Sequence, residues 1–134
     1  MEFKAKEKYS VSDLISIMAL LRGEGGCPWD REQDHLTIRK NLIEEAYEVV
    51  EAIDAGDPEM LCEELGDLLL QVVFHSRISE EEGDFSIEEV ADGICRNVVV
   101  IICPIQFGSR CLLMIRPPFA PRARAAVTYS CCFN

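Results

Sequence analysis

Between residues 34 and 82 the apolar side chains recur at helical spacing, and the run breaks only at Gly56-Asp57-Pro58. That pattern predicts two long helices, one from residues 34–37 to about Ala55 and one from Pro58 to about Glu82. Gly56 closes the first, and Asp57-Pro58 supply the N-cap and first position of the second. A break this short favours antiparallel neighbours. Two flanking helices complete the reading. Ser10 with Asp13 resembles a capping box and opens a helix to about Leu21, with Leu14, Ile17, Met18 and Leu21 as its stripe. Ser86 with Glu89 is a second box and opens a helix to about Val98. Gly23, Gly25, Gly26 and Pro28 predict a loop after the first helix. No alternating strand pattern interrupts this region, so the expected fold is all-α, an antiparallel bundle of about four helices.

The two long helices carry the same acidic pattern. Glu44, Glu45 and Glu48 stand on one, and Glu63, Glu64 and Asp67 on the other. On a wheel with Glu45 at zero, Leu42, Ala46, Val49 and Ile53 span about 40° to 100°, while Glu48 falls near 300°. With Glu64 at zero, Leu61, Leu65, Leu68 and Val72 fill the same arc and Asp67 takes the place of Glu48. Each helix thus sets an i, i+3 acidic pair at the margin of its apolar stripe. If the stripes pack together, four carboxylates converge and repel. A hard divalent cation relieves this, and oxygen-only donors select Mg²⁺, with Mn²⁺ or Ca²⁺ as substitutes. The plain alternative, two solvated acidic faces, stays open at this point. A di-iron bundle needs Glu-x-x-His on two helices, which is absent. His75 stands 11 residues past Glu64, about 16 Å along a helix, and is read as an interfacial or core histidine. Gly66 is expected to permit close helix packing.

Three segments narrow the reading further. GGCPWDREQDH at residues 25–35, NLIEEAYEVVEAID at 41–54 and EELGDLLLQVVFHSRISEEEGDFSIEEV at 63–90 closely resemble MazG-type nucleoside triphosphate pyrophosphohydrolases. The resemblance covers residues 14–98. The EExxE…ExxD pair is shared across the wider all-α pyrophosphatase superfamily, and the CPWD segment beside it is specific to MazG. The resemblance implies Mg²⁺-dependent cleavage of nucleoside triphosphates to monophosphate and pyrophosphate. It implies Glu45, Glu48, Glu64 and Asp67 as metal ligands, and Glu44 as a group that supports a ligand or orients and deprotonates the attacking water. Trp29 is a candidate for stacking on the base, or a packing anchor. Arg39 and Lys40 are candidates for phosphate contact, or plain surface cations, and Asn41 is a candidate substrate reader. Cys27 has no base beside it in sequence and is not read as a nucleophile. The family implies a homodimer or higher homo-oligomer, which the apolar faces of the two long helices fit.

Charge divides the chain. Residues 1–99 hold nine basic and all 24 acidic side chains, a net −15, whereas residues 100–134 hold four arginines and no acid. The acidic part argues against nucleic-acid binding, which needs a basic face. Residues 1–99 are therefore read as the helical domain and 100–134 as an atypical, irregular tail. The tail departs from the basic, His-Pro-containing segment with which MazG proteins generally continue. Two readings of it are open: a linker or disordered extension, or a shift of reading frame near residues 98–102. The departure also opens a second functional reading, a catalytically impaired helical oligomerisation module that keeps the family fold. The polar N-terminus lacks a secretory signal, and the longest apolar run is too short to span a membrane. Seven cysteines without CxxC spacing read as reduced thiols, so the expected location is the cytoplasm.

Overall fold

A computed structural model describes residues 5–107, with side chains to residue 98. It contains α1 (Val11–Arg22), α2 (Pro28–Glu32), α3 (His35–Ala55), α4 (Pro58–Glu82) and α5 (Ile87–Phe107), and no strand among the described residues. The chain divides into two compact units at Ile87, so α1–α4 and α5 are described separately.

The helix boundaries follow from local chemistry. Ser10 and Asp13 form the full capping box at α1. Asp34 caps α3 by accepting from the Leu36 and Thr37 amides, while the Thr37 hydroxyl accepts from the Asp34 amide. Asp57 caps α4 the same way through the Glu59 and Met60 amides, with Pro58 at the first position. Gly56 ends α3 at φ 65°, a left-handed conformation that any Cβ would strain.

Two expectations are corrected in the first unit. The segment expected as a loop contains α2, because Pro28 at its first position needs no hydrogen bond and fixes a helical φ. Gly26 lets the chain turn back sharply: a Cβ there would collide with the Leu20 and Leu21 carbonyls, and Cys27 N–H donates to Leu21 O at 2.8 Å. Gly66 does not serve close packing, since a Cβ there would meet open space within the subunit.

α3 and α4 run antiparallel as the main pair, joined by the Gly56-Asp57 connector. As numbers rise on one they fall on the other: His35 meets His75, and Glu45 meets Glu64. The core lies toward the far end of this hairpin, where α1 crosses α4. Met18, Ile38, Val73, Phe74 and Ile78 are buried there, with Leu14, Ile15, Leu70 and Ile87 against them. Near the connector the described residues cover the apolar arc only in part, and Ile53 and Leu65 stay about half exposed. In the second unit, α5 starts directly after Ser86 and continues past the expected end near Val98 to Phe107. Residues 88–98 of this helix are all exposed. The remainder of the expected tail, residues 108–134, and the choice between its two readings lie outside the described residues. No helix among the described residues is long and apolar enough to cross a membrane.

Candidate metal centre

The short connector and the antiparallel pairing bring the two acidic motifs to the same level of the hairpin. Ligand atoms of Glu45, Glu48 and Glu64 lie within 4.8 Å of one another. Glu45 and Glu64 are partly buried between the helices, and Glu48 is exposed. Asp67, one turn beyond Glu64, stands outside this tightest group, yet its charge acts on both Glu45 and Glu64.

The electrostatics carry the signature of uncompensated charge. Partial burial, then the charges of Asp67 and Glu48, raise the Glu45 carboxyl above its ordinary 4.5. Glu64 is raised as well, by desolvation first and then by Glu48, Glu63 and Asp67. Salt bridges among the described residues engage Asp13, Glu80, Glu81, Glu82 and Asp92, and none reaches the cluster. Oxygen donors from two helices, pushed toward protonation by burial and then by mutual repulsion, fit a hard divalent cation. They lack the nitrogen or sulfur that softer metals select.

The other sequence candidates lie on α2 and in the first half of α3. Glu44 is exposed beside Glu45, and Asn41 is partly buried one turn earlier on α3. Arg39 and Lys40 are exposed on the preceding turn. Trp29 lies on α2 with 58% of its surface exposed, so it is not a packing anchor in this subunit. Cys27 precedes α2, and Cys27, Cys62 and Cys95 are free thiols. His75 lies away from the acidic cluster, partly buried and edge to edge with His35.

Sequence reasoning missed one structural clasp. The Arg22 side chain is 6% exposed and ties three elements together. Its Nε and Nη2 donate to Glu81 on α4 at 3.0 and 2.7 Å, and Nη1 donates to the Asp30 and Gln33 carbonyls at the end of α2. The guanidinium also sits 5.3 Å from the Phe74 ring centroid. Burial alone would raise Glu81, but hydrogen bonds from Arg22 and Arg77 outweigh it and hold the carboxyl below 4.5. This clasp positions the CPWD segment against α1 and α4.

Comparison with known proteins agrees with this architecture. A family model of the MazG nucleotide pyrophosphohydrolase domain matches residues 33–99, half of the chain and both acidic motifs. The chain belongs to the MazG family. It is 55% identical over 78 residues to the nucleoside triphosphate pyrophosphohydrolase/pyrophosphatase MazG of Thermotoga maritima, covering 58% of this chain and 31% of that protein. It is 46% identical over 85 residues to the nucleoside triphosphate pyrophosphohydrolase of Escherichia coli K12, covering 63% and 32%. It is 47% identical over 91 residues to the uncharacterized protein YabN of Bacillus subtilis, covering 68% and 19%. The chain thus spans about a fifth to a third of the length of these relatives.

Proposed function

We propose that this chain is a nucleoside triphosphate pyrophosphohydrolase that uses Mg²⁺, with Mn²⁺ as a substitute. The observation that carries the reading is the convergence of Glu45, Glu48 and Glu64, which no salt bridge among the described residues reaches. In this reading those three residues and Asp67 hold the cation. A divalent ion bound there would offset the triphosphate's negative charge and lower the pKa of water. Without one, the cluster would repel the substrate.

The chain's own groups do the rest. Arg39 and Lys40 meet phosphate oxygens from the turns before the cluster, Asn41 reads the substrate, and Trp29 offers an exposed ring to the base. Glu44 orients a water molecule and takes its proton as the water oxygen bonds to phosphorus. The bond between the α and β phosphates breaks, and the bridging oxygen leaves with one product. Monophosphate and pyrophosphate result. The same reading includes a homodimer or higher homo-oligomer, supported by Ile43, Tyr47, Val50 and Ile53 on α3 and Leu65, Leu69 and Val72 on α4, all exposed within one subunit. It also includes a cytoplasmic location, which the free thiols support.

Pyrophosphate release from a panel of nucleotides, with Mg²⁺ and then with EDTA, tests the proposal. Release that needs Mg²⁺ and disappears in Glu45→Ala and Glu64→Ala supports it. A folded sample that releases pyrophosphate from no nucleotide would favour the impaired oligomerisation module instead.

A further inference from the structure

The chain has two histidines, and they form a single pair across the hairpin. The rings lie edge to edge and nearly coplanar, with centroids 5.0 Å apart and planes 4° from parallel. Their Nδ1 atoms are 2.7 Å apart, so one must donate and the other accept. Suppose His75 donates. Then His35 carries its proton on Nε2, where it donates to Ser79 Oγ at 3.2 Å and faces a Glu82 carboxylate oxygen at 3.9 Å. His75 Nε2, buried without a partner among the described residues, is left as a bare lone pair. The reverse assignment buries an N–H with no acceptor and turns a lone pair of His35 toward Glu82. The first assignment is better at both ends.

The same geometry dictates what an added proton must do. Placed on His75, it creates an N–H at the buried Nε2 with nothing to receive it. Placed on His35 Nδ1, it opposes the His75 Nδ1–H, unless that proton moves to the same buried Nε2. Every singly protonated state therefore strands a buried donor or breaks the 2.7 Å contact. We propose that the His35–His75 pair is a proton-sensitive clasp, closed when neutral and opened by acid, that ties the first turn of α3 to the second half of α4.

The surroundings agree. Burial, and then the neighbouring His35, push His75 below its ordinary 6.5. The charges facing the pair are Asp34, which caps α3 and whose carboxylate interacts with His35, and Glu82 on α4. Both draw positive charge to the His35 ring and not to His75. From α1, Arg22 is engaged by Glu81 and by the Asp30 and Gln33 carbonyls, the latter at the end of α2. Because folding depresses the His75 pKa, its stabilising contribution is complete above 6.5 and is lost as pH falls through the folded value.

Imidazole nitrogen NMR on the full chain tests this, since only these two rings contribute. At neutral pH we expect a Nδ1–H tautomer for His75 and a Nε2–H tautomer for His35. The His75 midpoint should lie below 6.5, and the protection of amides in the first turn of α3, relative to their intrinsic exchange rates, should fall as it titrates. His75→Phe keeps an aromatic ring without a titrating nitrogen and should abolish that acid-dependent loss of protection. Nε2–H tautomers on both rings with independent ordinary midpoints would overturn the clasp, as would unchanged acid-dependent opening in His75→Phe. If that variant does not fold, the tautomers and midpoint of the unaltered chain decide the matter.

Discussion

Glu45 and Glu64 show how a residue can work against the fold that holds it. Their carboxyls are raised above 4.5 in the folded chain, so the stability they lend is present below that value and is lost as pH rises. Near neutral pH, without a divalent cation, Glu45→Gln should therefore raise the thermal midpoint while removing a proposed ligand. With Mg²⁺ the same variant should lose pyrophosphate release by more than about 100-fold, beyond the 10–100-fold typical of a lost outer partner. A lower midpoint in EDTA would contradict the repulsion. Arg22 makes the opposite case. Arg22→Met strips Glu81 and two carbonyls of a buried donor and should cost about 3 kcal/mol in a denaturant titration. The acidic repeat was legible because helical spacing alone sets both pairs beside their stripes. The Arg22 contact with Glu81 spans 59 positions, and the paired histidines lie 40 apart, so neither left a local mark in the sequence.

At the scale of elements, caps and connectors carried most of the legible information. Ser10, Asp34, Asp57 and Gly56 stand where the sequence pattern predicts helix ends, because each satisfies end groups that the helix itself cannot. Asp57→Ala should cost about 1 kcal/mol in denaturant unfolding, since two amides at the start of α4 lose their acceptor. An unchanged midpoint would show that the α3–α4 pairing, not the cap, fixes that boundary. α2 was missed because three glycines and a proline dominate its approach, and a five-residue helix has no period to detect. The expected role of Gly66 failed for a tertiary reason. It sits on the exposed side of α4, where no neighbour in the subunit approaches.

The whole molecule is shaped by where its apolar surface is left over. α1 covers only the far half of the α3–α4 hairpin, and the half that bears the carboxylates keeps Tyr47, Ile53 and Leu65 exposed. Burial of that face between copies is the simplest completion. Leu69→Glu with Val72→Glu should then lower the mass measured by sedimentation, and an unchanged mass would place the interface elsewhere. The sequence pattern marked these positions as apolar but had no means of telling an internal core from a shared one. The central claim, that the hairpin's carboxylates form one cation site, is tested most directly by titrating the full chain with Mn²⁺ and following free ion by electron paramagnetic resonance. We expect saturable binding that Mg²⁺ displaces and that Glu45→Ala and Glu64→Ala each abolish while the chain stays folded. Binding of equal strength in the folded variants, or none in the unaltered chain, would contradict the account.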